Sequence, residues 1–441
     1  MSYEMIAIFM FASMMLMLFT GQRVFGAIGA VGAIAAIALW GTGGSDIAFA
    51  SAMKLMKWYP LLTLPMFIFM GYVLSESKIA DDLYKMFHVW MGPVRGGLAI
   101  GTIGLMILIS AMNGLSVAGM AIGATIALPE LLKRGYDKRM VTGVIQAGSS
   151  LGILVPPSVV LVLYAMIARQ PVGQLWLAGV FPGLLMAALF MLYIYLRCRV
   201  QPELGPALNE DERENMPLSE KLGLLRAGLL PLFIFAVMMV PFVNGWTSLV
   251  ESSAVGATTA FLAAVFKGRM NRQVFETSVR QTLAISCMFM WIILAALGFG
   301  AVFDGLGAVK AIDTLFTDQL GLNPWVILIL MQLSFLVMGT FLDDTAMLVI
   351  VAPLYVPLVK ALGFDLVWYG VLYTITTQIA YMTPPFGYNL FLMRAMAPPE
   401  ITLKDIYSSI APFVLVMIFA LALVIIFPQI AMWLPNTVYG K

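Results

Sequence analysis

Apolar runs separated by short polar breaks make up most of the chain, and many of the runs approach the length a helix needs to cross a bilayer. Runs near residues 6–19, 25–40, 61–74, 176–196, 229–243, 253–266, 283–302 and 410–434 predict spanning helices. Residues 51–59 carry Lys54 and Lys57 among apolar positions and predict an interfacial helix. Two further stretches predict re-entrant hairpins. The first lies between Arg95 and Lys133 and carries Ser110-Ala-Met-Asn-Gly-Leu-Ser116 at its middle. Lys85 and Arg95 precede it, and Lys133, Arg134, Lys138 and Arg139 follow. Basic flanks favour the cytoplasm, so both ends belong on one side, with Asn113-Gly114 at the tip. A single kinked span would put these flanks on opposite sides. The second stretch, 324–357, has Met338-Gly-Thr-Phe-Leu-Asp-Asp-Thr345 at its middle and few basic flanks. It predicts a hairpin entering from the other face.

Each hairpin is followed by an apolar run that cannot form one continuous helix. Gly148-Ser-Ser-Leu-Gly-Ile-Leu-Val-Pro-Pro-Ser158 interrupts 140–168, and Gln378-Ile-Ala-Tyr-Met-Thr-Pro-Pro-Phe-Gly-Tyr-Asn389 interrupts 367–394. Proline removes an N–H donor and clashes with the preceding turn. Freed backbone groups within a membrane must face protein or a polar cavity. A shift of 384 − 156 = 228 superposes Pro156 on Pro384 and Pro157 on Pro385. It also superposes Pro129 on Pro357, Gly135 on Gly363, Tyr136 on Phe364 and Asp137 on Asp365. The expectation is two structural repeats, inverted in the membrane, each holding a hairpin and a broken helix. Two unrelated kinked helices are the plainer alternative.

Composition narrows the class. Of 441 residues, 61% are hydrophobic and 11% charged, as in an all-α polytopic membrane protein. A formal net charge of +2 gives no support to nucleic-acid binding. Cys198 and Cys287 are too few for a disulfide framework, and His88 is the only histidine. The run at 6–19 lacks a basic n-region and another span follows directly, so it reads as a first helix rather than a signal peptide. The charged run 209–214 reads as a solvated loop.

Candidate chemistry is oxygen-based. Asp343 and Asp344 fall within a membrane hairpin, where an ionisable residue is costly and a functional candidate. One of them could instead cap a helix N-terminus. Asn113, Ser116, Ser149, Ser150, Thr340, Thr345 and Thr383 add side-chain oxygens, and the breaks add carbonyls. Hard oxygen ligands suit Na⁺ better than a redox or transition metal. No arginine lies at either tip or break, so an anionic substrate would rest on helix ends, hydroxyls and bound cations. Glu251 opens an apolar helix, where a first-turn acid suits capping.

At these residues the chain resembles the large membrane subunit of tripartite ATP-independent periplasmic (TRAP) transporters. The matching stretches are Gly148–Ser158, Glu251-Ser-Ser-Ala-Val-Gly256, Phe341-Leu-Asp-Asp-Thr-Ala346 and Met382-Thr-Pro-Pro-Phe-Gly-Tyr-Asn-Leu-Phe391. Where the family's first tip usually reads Ser-Gly-Ser-Ser, this chain has Asn113-Gly-Leu-Ser116. Where the family usually has proline after the hairpin Asp, this chain has Asp344. The resemblance implies an elevator-type sodium-coupled importer of a small organic anion in the bacterial inner membrane, not an enzyme. It also implies a small membrane subunit and a periplasmic substrate-binding protein as partners. One implied sodium site uses Asn113, Gly152, Val155 and Pro156, and the other Gly339, Asp343, Thr383 and Gly387. The implied substrate lies near Ser116, Ser149 and Ser150, with Asp344 beside them. The resemblance further divides the chain into scaffold helices and an interfacial arm (1–92), a first transport repeat (93–172), and scaffold helices with a cytoplasmic loop at 198–226 (173–317). A second transport repeat (318–398) and a C-terminal helix (399–441) complete it. A stand-alone divalent-anion:sodium symporter and a passive channel remain open rivals.

Overall fold

The computed structural model describes residues 3–114, 116–207, 217–308, 314, 321–339, 342, 344–384 and 387–440. Helices α1 (Tyr3–Phe19) and α2 (Val24–Trp40) lead to α3 (Gly44–Met56), α4 (Thr63–Glu76) and α5 (Ile79–Met91). Helix α5 is amphipathic: Ile79, Leu83 and Met86 are buried at helical spacing, while Lys85 is exposed. Next come α6 (Gly97–Asn113), α7 (Ser116–Ile122), a π-helical turn at Gly123–Ala127, and α8 (Leu128–Lys133). The predicted second hairpin arm is therefore not one regular helix, because Pro129 cannot donate to the carbonyl four residues back. The first broken helix is α9 (Lys138–Ser150) and α10 (Val159–Ala168). Four long helices follow: α11 (Val172–Val200), α12 (Leu218–Val243), α13 (Leu249–Phe266) and α14 (Arg272–Gly305). The second hairpin is α15 (Pro324–Gly339) and α16 (Asp344–Ala361), and the second broken helix is α17 (Leu366–Tyr381) and α18 (Tyr388–Met396). Helices α19 (Leu403–Ile426) and α20 (Gln429–Tyr439) end the chain.

Three boundaries differ from the sequence expectation. The last span, expected at 410–434, starts earlier because Thr402 and Asp405 form a capping box. It stops at Ile426 because Pro428 pushes Phe427 out of helical geometry, to φ −119° and ψ 76°. The interfacial helix expected at 51–59 is α3, which ends at Met56 ahead of Pro60. Finally, the run at 283–302 is the apolar part of a 34-residue helix capped by Asn271. At 1.5 Å per residue α14 is about 50 Å long, so its polar first turns project beyond a hydrocarbon core of about 30 Å. The expected cap at Glu251 is present: it accepts from the Ser248 N–H at 2.7 Å and donates its own N–H to Ser248 Oγ at 3.3 Å.

Among the described residues seven helices are long and apolar enough to cross a membrane, α11 to α14 among them. Counting α9–α10 as one crossing and α11 to α14 as four gives five between the two hairpins, and an odd number places their entries on opposite faces. At ten residues α10 is about 15 Å long, half the hydrocarbon core.

The two repeats are built from the same parts. Gly135 (φ +76°) and Gly363 (φ +80°) both end a hairpin in a left-handed turn. In the first, Tyr136 N–H bonds Leu131 O and Gly135 N–H bonds Leu132 O. In the second, Phe364 N–H bonds Val359 O and Gly363 N–H bonds Lys360 O, the same Schellman pattern 228 residues later. Asp137 then caps α9 through the N–H groups of Arg139 and Met140, and Asp365 caps α17 through those of Val367 and Trp368. Arm α6 packs on α9, and α15 packs on α17. The second halves cross over: α10 packs on α16 of the other repeat, and α18 packs on α7. Such reciprocal contacts are what a two-fold relation between the repeats produces. Gln378 donates to the Ser150 carbonyl at 2.8 Å, and these two positions are themselves 228 apart. Repeat-mates that touch lie at the axis.

Candidate functional site

The first hairpin tip docks on the first break. Gly114 adopts φ +64°, and its carbonyl accepts from the N–H of Val159 at 3.3 Å. A Cβ at Gly114 would lie 2.0 Å from Pro157 O. Asn113 closes α6 and Ser116, buried, opens α7. The side chain of Asn113 lies outside the described residues. Helix α7 passes tightly over the next segment: a Cβ at Gly119 would lie 3.3 Å from the Ser149 Cα. The tip thus brings Ser116, Ser149 and the break into one neighbourhood. Gly152 sits in a single 3₁₀ turn, Leu151–Ile153, and Gly152, Val155 and Pro156 are all buried. The Val155 and Pro156 carbonyls accept no hydrogen bond from the described residues.

In the second repeat Thr383 and Gly387 are held together, the Gly387 N–H donating to Thr383 O at 3.3 Å. Thr383 Oγ1 donates back to Ile379 O at 2.7 Å. Gly339, at the end of α15, is placed where a Cβ would lie 2.5 Å from Ala380 Cβ, so α15 and α17 approach closely. Asp343 lies outside the described residues, as do Thr340, Pro385 and the side chains of Asp344 and Thr345. Asp344 opens α16, at the position equivalent to Ser116, which opens α7.

A buried polar seam joins the two repeats. Ser149 Oγ donates to Gln146 O at 2.9 Å, and Ser150 Oγ donates to Ala147 O at 2.7 Å. With those protons directed to the helix backbone, the hydroxyls offer lone pairs rather than donors to a ligand. Ser149 Oγ accepts from Asn389 Nδ2 at 3.5 Å. Gln378 Nε2 donates to Ser150 O, whereas Gln146 Nε2 donates to Thr142 O at 3.1 Å and to Ser409 Oγ of α19 at 3.4 Å, so its amide faces α19. Each amide is thereby oriented, its nitrogen against an acceptor. Gln146 Oε1, Gln378 Oε1 and Asn389 Oδ1 are buried without a partner among the described residues. The oxygens of Gln378 and Asn389, fully buried beside one pair of serines, are an expensive arrangement unless a cation or another donor completes it. Gln146, Gln378 and Asn389 were not among the residues expected from sequence. An amide within an apolar run was the available signal, and Gln378 and Asn389 bound the second break itself.

Nearby ion pairs are structural. Asp405 of α19 meets Lys138 Nζ at 2.7 Å and Arg139 Nε at 3.4 Å, tying α9 to α19. Among the described residues no group of three His, Cys, Asp or Glu could hold a metal ion.

Comparison with known proteins agrees with this architecture. The sequence model of the family described as "Tripartite ATP-independent periplasmic transporter, DctM component" matches residues 11–430. The C4-dicarboxylate TRAP transporter large permease protein DctM of Pseudomonas aeruginosa is 30% identical over 379 residues, 86% of each chain. The ectoine/5-hydroxyectoine TRAP transporter large permease protein UehC of Ruegeria pomeroyi is 26% identical, over 86% of this chain and 87% of its own. Among solved structures, the Alcanivorax borkumensis YdaH transporter superposes with a TM-score of 0.62 at 16% identity, covering 89% of each chain, a likeness of fold. These relatives are transport permeases rather than enzymes. The repeated hairpins, the paired breaks and a match across nearly the whole length together place this chain in the DctM family, as the large permease subunit of a TRAP transporter.

Proposed function

We propose that this permease imports a small organic anion, driven by Na⁺ and delivered by a periplasmic binding protein. A small membrane subunit completes the scaffold, and the bacterial inner membrane is the site of action. The two hairpins and two broken helices form the moving unit of an elevator, and α1–α5 with α11–α14 form the frame. The observation that carries this reading is the buried seam, where Gln378 and Asn389 present oxygens that lack donors among the described residues. Na⁺ is a hard cation suited to such a set. The carbonyls of Val155 and Pro156, which accept no hydrogen bond from the described residues, fit one sodium position with Gly152 and Asn113. Thr383 and Gly387 fit the other, with Gly339 and Asp343. The substrate rests beside Ser116, Ser149, Ser150 and Asp344, its charge balanced by the bound cations. Because the serine hydroxyls donate to their own helix, cations carry more of the anion recognition than hydroxyls do.

The test is uptake of radiolabelled organic acids into proteoliposomes holding this chain and a small subunit. Sodium gradient and binding protein are each supplied or withheld. Uptake that needs both supports the reading. Uptake that needs Na⁺ alone moves the protein to the stand-alone symporters. Uptake unchanged without a Na⁺ gradient overturns the coupling.

A further inference from the structure

Away from the breaks, a water-accessible crevice of about 820 Å³ opens between α3, α10, α14 and α16. Lys54, Arg169, Lys360 and Asp304 line it. Each lies at or near the C-terminal end of its helix, and chain tracing puts all four ends on one membrane face. That is the face opposite to Lys138, Arg139 and Arg197, since α9–α10 and α11 each run between the two. Among the described residues the crevice holds three cations against one carboxylate. Among the described residues none of the three cations is ion-paired, although Asp304 lies in the same space.

Lysine in a last turn does favour the helix dipole, and Lys54 and Lys360 satisfy that rule. Dipole compensation does not require four helices to bring their end charges to a common cavity. Nor does it account for Arg169, which takes a left-handed backbone (φ +53°) just past α10. A concave space with low-dielectric walls and excess charge of one sign concentrates counter-ions and raises their arrival rate. The wall also divides at a meaningful place: α3 and α14 belong to the proposed frame, whereas α10 and α16 belong to the proposed moving unit.

We infer that this crevice is an anion-collecting vestibule on the face opposite the basic rim, with Lys54, Arg169 and Lys360 drawing a small carboxylate toward the boundary between frame and moving unit. This rests on the anion-import reading for its substrate class. It assigns the three cations to capture and not to the buried seam.

The first arm of the test does not depend on transport. Ala301 lines the crevice and is exposed. In a Cys287→Ser background, the thiol introduced by Ala301→Cys is modified with an anionic and a cationic methanethiosulfonate reagent. Rates are normalised to those on a free thiol. The anionic reagent is expected to react about tenfold faster. Adding Lys54→Gln, Arg169→Gln and Lys360→Gln should bring the ratio to about one. A thiol that neither reagent reaches, or a ratio that ignores the three substitutions, overturns the vestibule. In the second arm, the three substitutions should raise KM for uptake several-fold with the maximal rate kept. Arg169→Lys alone should leave KM near wild type. An unchanged KM in the triple variant overturns the inference even if labelling responds. Absence of anion uptake by the wild-type protein overturns the import reading instead, and the labelling ratio still decides the vestibule.

Discussion

At Gly114 the first hairpin tip has no room for a side chain. Its φ of +64° costs an L residue about 1 kcal/mol, and a Cβ would also meet Pro157 O at 2.0 Å. Gly135 shares the positive φ, at +76°, but nothing lies within 4 Å of its Cβ position. Gly135→Ala should therefore cost about 1 kcal/mol in thermal unfolding of the detergent-purified protein, and Gly114→Ala clearly more. Equal costs would mean the tip does not rest on the break. Gln378 makes a second point at this scale. Replacing it with Leu leaves the buried Ser150 carbonyl without its donor, a loss of about 1–3 kcal/mol by the same measurement. Neither effect could be read from the residue type. Glycine next to Asn113 marked a turn, but only the docking of the tip supplies the clash. Gln378 was visible as a polar residue in an apolar run, yet its partner lies 228 positions away.

Among the elements, the hairpin-to-break corners were the most legible, because their signals are local. Gly at a helix end and Asp three residues before a helical turn act within a few residues of backbone. The offset of 228 therefore predicted matched corners, and Asp137 and Asp365 cap with the same geometry. Asp137→Ala and Asp365→Ala should each lower stability by about 1 kcal/mol, with the double variant near the sum. Strong non-additivity would show that the two corners communicate. The end of the last span was less legible, since apolar residues continue past Pro428 and composition alone runs through the corner.

Helix α5 offers a pH test. Asp82 meets Lys267 Nζ and Arg269 Nη2, each at 2.8 Å. Partial burial alone would raise the Asp82 pKa, but hydrogen bonds from Arg269 and Lys267 outweigh it and hold the carboxyl below its usual range. A lowered folded-state pKa contributes stability above the unfolded value, near 4, and loses it as pH falls through the folded one. Asp82→Asn should thus be less stable than wild type near neutral pH, by under about 1 kcal/mol for a pair this exposed. The gap should close only as pH falls from about 4 through the lower folded-state value. A gap that persists in acid would assign the loss to packing.

For the whole molecule, the prediction concerns coupling. Asp343 lies in the second hairpin stretch, and Asp343→Asn is expected to weaken the apparent Na⁺ affinity for uptake by about tenfold or more, equivalent to about 1.4 kcal/mol. Expression should change little. Wild-type sodium dependence in that variant would return Asp343 to helix capping. The sequence by itself determined the membrane class, the two hairpin-and-break units, their offset and their opposed entry. Each of these follows from run length, proline chemistry and basic flanks, which are properties of neighbouring residues. Only the tertiary structure decided that α10 crosses to α16 and α18 to α7, and that Ser150 meets Gln378. It alone collected two amide oxygens without a partner among the described residues at one seam and three cations in one crevice. Such groupings depend on how helices far apart in the chain pack, and hydrophobic periodicity specifies which face is buried without naming the partner it is buried against.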